Sequence, residues 1–167
     1  MSLKARRFWP LLLVLVLSDC ATKRLAQARL VPAHVPHRVA GDVVRLTLTY
    51  NRGAAFGIDA GPRGRWVLAA LSLVVLLGLS VMYRRAEARD LQLVTALALL
   101  AGGAVGNLLD RVRSPRGVVD FIDLGIGDAR FWTFNLADVG ISIGAVLLAL
   151  TVWRRGHPPA SPIATRQ

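Results

Sequence analysis

Four apolar stretches divide the chain, and polar segments separate them. They cover about 8–26, 66–83, 91–109 and 136–153. Each is close to the roughly twenty residues that an α-helix needs to cross a bilayer, and the second has no charged residue. The pattern therefore predicts one membrane domain, a bundle of four transmembrane helices.

The two long segments between these stretches, residues 27–64 and 110–135, are too polar to span a membrane. From residue 43 to residue 50 hydrophobic and polar positions alternate, with Val44, Leu46, Leu48 and Tyr50 on one side and Arg45, Thr47 and Thr49 on the other. Alternation of this kind is typical of a half-exposed β-strand. We therefore expect a small strand-rich lobe on one side of the membrane, and a disordered tail over residues 156–167.

Composition supports a membrane protein and argues against other classes. The chain of 167 residues is 54% hydrophobic, and its net charge of +11 comes from Lys and Arg clusters beside the apolar stretches. Such clusters indicate lipid headgroups and topology, and the basic residues lack the interleaved aromatics of a nucleic-acid surface. The single Cys excludes an intrachain disulfide, and the three histidines have no metal-ligand spacing.

The basic clusters also predict an orientation. The N-terminus, the loop at 84–90 and the C-terminal tail each carry Lys or Arg next to an apolar stretch. The positive-inside rule places these three segments in the cytoplasm, although segment 27–64 is itself rich in Arg. Both outer segments, and the carboxylates in them, then lie on the opposite side.

The first apolar stretch has a second interpretation. A basic start, an apolar run and Cys20 resemble a lipoprotein signal peptide, but Asp19 stands where a small residue is expected. We favour an uncleaved helix. Asp19 and Lys23 are four residues apart and share a face of that helix, either as an interfacial ion pair or with a functional role.

Two further groups of polar residues lie at the ends of predicted helices. Asn107, Asp110 and Arg111 share one face at the end of the third helix, and Asn135 and Asp138 are three apart at the start of the fourth. Simple explanations exist, since Asn135 could be a helix N-cap and Asp110 a helix-end ion pair.

Carboxylates with amide partners also suit activation of water by an aspartate pair, or proton coupling in a small transporter. Asp123 and Asp128 are expected to be solvated loop residues. The turn at 51–57 could simply end a hairpin.

Five motifs in this order resemble bacterial lipoprotein signal peptidase, the type II signal peptidase. They are Asp19 with Thr22-Lys23, residues 51–56 (NRGAAF), residues 103–111 (GAVGNLLDR), residues 118–121 (VVDF) and residues 134–138 (FNLAD). The resemblance covers nearly the whole chain up to Trp153.

The resemblance implies which residues form the site. Spacing alone does not, because it does not tell whether Asp120 or Asp110 is catalytic. It implies an aspartic endopeptidase with Asp120 and Asp138 as the catalytic dyad. The residues that it implies for the pocket or for its support are Asn51, Gly53, Asn107, Asp110, Arg111, Asn135, Ala137, Asp19 and Lys23.

The resemblance also implies the setting of the reaction. The substrate is a prolipoprotein, cut before its diacylglyceryl-modified cysteine, and no metal or cofactor takes part. An extracytoplasmic β-cradle, membrane lipids as surroundings, inhibition by globomycin-type compounds and a monomer in the bacterial inner membrane are expected as well.

Overall fold

A computed structural model describes residues 2–53 and 63–157 of the chain. The helices are α1 (Leu3–Arg29), α2 (Gly64–Arg85), α3 (Leu91–Arg113) and α4 (Leu136–Gly156). The strands are β1 (His37–Ala40), β2 (Val44–Asn51), β3 (Val118–Ile126) and β4 (Ala129–Arg130). Expectations for Ala54, Ala55, Phe56 and the tail from residue 158 lie outside the described residues.

The bundle is arranged around α3, which packs against each of the other three helices. Within the described residues α2, α3 and α4 are long and apolar enough to cross a membrane, as predicted. In the most apolar part of α3 56% of the residues are buried, against 11% in α2 and 22% in α4. The outer faces of α2 and α4 are thus left for lipid. Helix α1 is not among these candidates because Asp19, Lys23 and Arg24 interrupt its apolar run.

Glycines of α3 allow the helices to approach closely. A Cβ atom on Gly103 would lie 2.4 Å from the backbone oxygen of Ala137 on α4. A Cβ atom on Gly106 would lie 2.6 Å from Oδ2 of Asp19 on α1. The close contact of α3 with α4 and with α1 therefore depends on glycine, which has no side chain, at positions 103 and 106.

The four strands form one antiparallel sheet in the order β1-β2-β3-β4. A buried apolar cluster joins the sheet to the end of α1; its members are Ala26, Leu30, Leu48, Val119 and Phe121. The sheet thereby holds β3 beside the end of the helix bundle. This agrees with the expected strand-rich lobe.

The prediction of a half-exposed, strictly alternating β2 was wrong in its middle. Thr47 is buried beside its buried neighbour Leu48, and the register of β2 against β3 shifts between Leu46 and Thr49. Thr47 is accommodated because its Oγ1 donates to Oδ2 of Asp123 over 3.0 Å. A polar residue can be buried when its hydrogen bond is made.

The prediction that Asp123 is a solvated loop residue was also wrong. Asp123 lies in β3 and is 7% exposed. Besides Thr47, it binds Arg130, whose Nε donates to Oδ1 over 2.9 Å. The charge is buried because a guanidinium and a hydroxyl from the neighbouring strands satisfy it. Asp128, by contrast, is exposed in the turn before β4, as expected.

Candidate active site

The polar residues singled out in the sequence converge at one end of the bundle. Five elements contribute to this cluster: α1, the end of β2, the end of α3, the start of β3 and the start of α4. The members that bind one another or line the same cavity are Asp19, Lys23, Asn51, Gly53, Asn107, Asp110, Arg111, Asp120, Asn135, Ala137 and Asp138.

Lys23 is the centre of the buried part of this cluster. Its side chain is 3% exposed, and its Nζ lies 2.8 Å from Oδ2 of Asp19 and 2.8 Å from Oδ2 of Asp110. It also donates to Oδ1 of Asn107 over 3.0 Å. An ammonium group has three protons to donate, so all are used. The interfacial interpretation of Asp19 and Lys23 was therefore wrong, whereas Asp110 does form an ion pair at a helix end.

Asp19 connects Lys23 to the start of α4. It is fully buried, and its Oδ1 accepts from the backbone N–H of Ala137 over 3.0 Å. Ala137 is fully buried too. Since Gly106 lies against both residues, this part of the site has no room for larger side chains.

Two asparagines connect Lys23 to the two candidate carboxylates through hydrogen bonds. Asn107 accepts from Lys23 with its oxygen, so its Nδ2 points to Oδ1 of Asp138, 2.8 Å away. Asn135 donates from Nδ2 to Oδ1 of Asp120 over 2.6 Å, and to Oδ1 of Asn107 over 3.2 Å. Because the oxygen of Asn107 accepts from a cation, the orientation of its amide is fixed. Each carboxylate thus accepts from the side-chain amide of one of these two asparagines.

Asn135 is also the N-cap of α4, as the simple explanation held. Its Oδ1 accepts from the backbone N–H of Asp138 over 3.1 Å, and Oδ2 of Asp138 accepts from the N–H of Asn135 over 3.2 Å. This reciprocal capping box fixes both side chains at the first turn of the helix. Capping and contact with Asp120 use different atoms of one side chain.

Asp120 lies at the start of β3, outside the helices, and is 2% exposed. Burial raises the pKa of its carboxyl from 3.8 to about 7, and the negative charge of Asp138 acts in the same direction. Hydrogen bonds from Asn135 and Asn51 and the charge of Lys23 oppose the rise of the pKa without cancelling it. Two nearby acids in different environments are suited to one protonated and one ionised form.

Both carboxylates line one cavity of about 860 Å³. Its polar wall includes Asn107, Arg111 and residues 49–53 at the end of β2. Its apolar wall comes from α2 and α4 and from the segment before α4, with Leu68, Leu71, Val75, Ile141, Phe131 and Phe134. The arrangement could place a polar reacting group beside Asp120 and Asp138 and leave an apolar part between the helices.

Residues 51–53 form a turn at the rim of this cavity. Oδ1 of Asn51 accepts from the N–H of Gly53 over 3.0 Å, so the simple explanation of a turn holds for its start. Gly117 packs under it with φ of +101°, and a Cβ atom there would lie 2.2 Å from the backbone oxygen of Asn51. A glycine is required at position 117 for both reasons.

Several residues of the cavity were not anticipated. Ser142 lies one helical turn after Asp138, and this spacing could have identified it. Ser72 of α2 and Thr133 in the segment before α4 had no such signal. Thr133 lies close to Thr49, with 2.7 Å between the two hydroxyl oxygens.

Comparison with known proteins gives a consistent result. A family model described as signal peptidase (SPase) II matches residues 11–154. A lipoprotein signal peptidase of Nitratidesulfovibrio vulgaris is 40% identical over 162 residues, which are 95% of this chain and 96% of the relative. Another, of Pseudomonas aeruginosa, is 41% identical over 149 residues, 87% of this chain and 86% of the relative.

Solved structures show the same fold. A bacterial membrane enzyme solved at 2.3 Å resolution aligns with a TM-score of 0.81 and 28% identity, over 91% of this chain and 90% of the other. A second bacterial membrane enzyme, solved at 1.9 Å resolution, aligns with a TM-score of 0.74 and 30% identity, over 85% and 89% of the two chains. The fold is therefore that of a membrane enzyme.

Replacing Lys23 by Met should lower the free energy of unfolding by about 3 to 5 kcal/mol, since Asp19 and Asp110 would lose the cation that compensates them. Unfolding of detergent-solubilised protein measures this. Arg24→Met removes an exposed charge from the same helix and should change little. The double variant Asp19→Asn/Lys23→Met should recover part of the loss. Equal effects of Lys23→Met and Arg24→Met would contradict the central position of Lys23.

The Asp120 carboxyl should stay protonated up to about pH 7. Infrared difference spectra recorded during a pH titration should therefore lose a protonated-carboxyl band near neutral pH. Asp120→Asn should lack this band and Asp128→Asn should keep it, while Asp138→Asn should move its midpoint to lower pH. A band that titrates near the ordinary carboxyl value of about 4 would disprove the assignment.

Proposed function

Since the chain belongs to the signal peptidase II family and removes the signal peptide from prolipoproteins, we propose that it does so as an aspartic endopeptidase. Asp120 and Asp138 are its dyad, and the cut falls before the diacylglyceryl-modified cysteine. The observation that carries the proposal is a single cavity lined by these two carboxylates, which differ in burial and both accept hydrogen bonds from asparagine side chains. No metal or cofactor enters the mechanism.

The two aspartates have different roles. Asp138 is half-buried and accepts N–H bonds from Asn107 and from the backbone of Asn135. It is the general base. Asp120 is nearly inaccessible, with a pKa of about 7, and enters the reaction protonated. It is the general acid.

The proposed reaction conserves protons. Asp138 takes a proton from water as the water oxygen bonds to the scissile carbonyl carbon, and Asp120 gives its proton to the carbonyl oxygen. The carbon–nitrogen bond of the resulting diol then breaks. Asp138 returns a proton to the leaving amine, and a diol hydroxyl returns one to Asp120. Both aspartates end in their starting forms.

The substrate lies across the cavity. Its diacylglyceryl group and signal helix contact the apolar wall between α2 and α4, which faces the bilayer. Backbone carbonyls of the substrate near the cut accept hydrogen bonds from Arg111 and Asn51. Such bonds are stronger in this cavity than in bulk water. A globomycin-type inhibitor would compete for the same cavity. One chain supplies the whole site, so a monomer suffices.

Helix α1 is proposed as the fourth span, with both termini in the cytoplasm and the site at the outer face of the bacterial inner membrane. Its 27 residues are about 40 Å long, and it contacts the other helices at both ends, through Lys4 and through Lys23. Asp19 and Lys23 near its end are paired inside the protein, so these two charges do not meet lipid.

A proton-coupled transporter is less compatible with the site. Asp110 lies in the last turn of α3 and Asp138 in the first turn of α4, so these acids lie at one end of the bundle, away from the midplane. A lipoprotein acylated at Cys20 is also disfavoured. Removing the residues before Cys20 would remove Asp19, which binds Lys23 and Ala137.

Asp120→Asn and Asp138→Asn should each lower the cleavage rate at least about 1,000-fold, because the acid or the base is lost while the shape is kept. The assay is cleavage of a diacylglyceryl-modified prolipoprotein by detergent-solubilised enzyme. Wild-type cleavage should stop with globomycin. Asp128→Asn, an exposed aspartate of the same lobe, is the control and should cut normally.

The same assay tests the assignment of Asp110. Asp110→Asn should mainly reduce stability, because the carboxylate binds Lys23 and the backbone N–H of Val119. If this variant folds and binds substrate but does not cut, or if either dyad variant cuts at a normal rate, the proposed roles are wrong.

The orientation can be tested with single cysteines in a Cys20→Ser background. In intact spheroplasts a membrane-impermeant maleimide should label Asp128→Cys in the outer lobe at least about ten times more than Ser2→Cys at the N-terminus. Both sites should be labelled after detergent is added. The reverse preference would place the site in the cytoplasm and reject the topology.

A further inference from the structure

The end of the bundle away from the dyad contains a second, separate group of charges. There the start of α1 meets the end of α2, where Lys4 donates to the backbone oxygens of Tyr83 and Ala86 over 3.1 and 3.0 Å. The end of α4 meets the start of α3, where Arg154 donates to Gln92 over 3.0 Å. Along α3 this end lies about 20 Å from Asn107, at about 1.5 Å per residue.

A cavity of about 600 Å³ opens at this end, between the end of α2, the α2–α3 turn, the start of α3 and the end of α4. It is lined by Met82, Arg85, Ala86, Glu87, Arg89, Asp90, Leu93 and Arg155. Three guanidinium groups therefore face two carboxylates and a small apolar wall.

The carboxylate of Asp90 is fully used by the protein. Its Oδ1 accepts from the N–H of Leu93 over 3.0 Å and caps α3, and its Oδ2 forms an ion pair with Arg155. Arg85 and Arg89, by contrast, are exposed, and their guanidinium groups have no ion pair or hydrogen bond within the described part of the chain. Glu87 offsets only one of their charges. The cavity thus has an excess of positive charge that the protein leaves uncompensated.

Position and chemistry favour one class of ligand. The cavity lies where two membrane-spanning helices, α2 and α3, end together, which is the depth of lipid headgroups. Guanidinium groups bind phosphate through paired N–H donors. Met82, which lines the cavity with them, is 38% exposed and offers contacts to a glycerol backbone. Basic pockets between helix ends bind anionic lipid headgroups in this manner.

We propose that Arg85 and Arg89 form a binding site for the phosphate of an anionic phospholipid at the end of the bundle opposite the dyad. Binding joins α2, which otherwise packs mainly on α3, to the ends of α3 and α4. The ligand therefore stabilises the folded protein. This proposal does not depend on the proposed catalytic mechanism.

The test compares thermal unfolding of the purified full chain in detergent micelles doped with phosphatidylglycerol or with phosphatidylcholine. The variant is Arg85→Gln/Arg89→Gln. The control is Arg6→Gln/Arg84→Gln, which removes the same charge from exposed positions at the same end that do not line the cavity. Free sn-glycerol 1-phosphate in a third arm separates a lipid from a soluble phosphate.

Phosphatidylglycerol should raise the unfolding temperature of the wild type and of the control by about 4 °C over phosphatidylcholine, and that of the variant by less than half as much. Free glycerol phosphate should have no effect. If variant and control lose this rise in unfolding temperature equally, the attraction is unspecific and the site is overturned. Equal effects of the two lipids on the wild type would overturn it as well. Stabilisation by glycerol phosphate alone would overturn the lipid assignment.

A second measurement covers the case in which the variant does not fold. Native mass spectrometry of the wild type, released from micelles containing equal amounts of both lipids, should retain phosphatidylglycerol in several-fold excess. The single variant Arg89→Gln, changed at an exposed position outside the helices, should reduce this excess. Retention without preference in the wild type would reject the proposal.

Discussion

A buried ammonium group is the constraint on which this structure depends. The side chain of Lys23 is 3% exposed, and leaving its charge without partners there would cost several kcal/mol. Its acceptors come from two helices, Asp19 on α1 and Asn107 and Asp110 on α3. Because Asp19 also binds the first turn of α4, one cation fixes three helices in register. Gly106 is needed for the same reason, since any side chain there would displace Asp19.

The same cation orders the candidate catalytic groups without touching them. Asn107 must present its oxygen to Lys23, so its N–H₂ group is left for Asp138. Asn135 then shares the oxygen of Asn107 and donates to Asp120. Side chains held in this manner cost little reorganisation during a reaction. Stability and chemistry are therefore coupled at this end of the bundle, and a loss of activity on changing Lys23 would not by itself indicate a catalytic role.

Hydropathy predicted the ends of α2, α3 and α4 to within a few residues. An apolar run of about twenty residues has few alternatives to a membrane-spanning helix. Hydropathy could not predict how charges pair between distant elements. Asp123 was expected in solvent because its partners, Thr47 and Arg130, lie on two other strands. Spacing likewise did not separate Asp120 from Asp110. Only the fold shows that Asp110 faces Lys23, whereas Asp120 lies in the cavity beside Asp138.

The difference between the two aspartates follows from which element carries each. Asp138 sits in the first turn of a helix, at the positive end of the helix dipole, and its Oδ2 accepts from the backbone N–H of Asn135. Asp120 sits in a strand covered by the bundle, and a strand end has no comparable dipole. Burial therefore dominates at Asp120 and raises its pKa. A helix start placed against a buried strand therefore gives the two acids different surroundings, one capped at a helix end and one enclosed by the bundle.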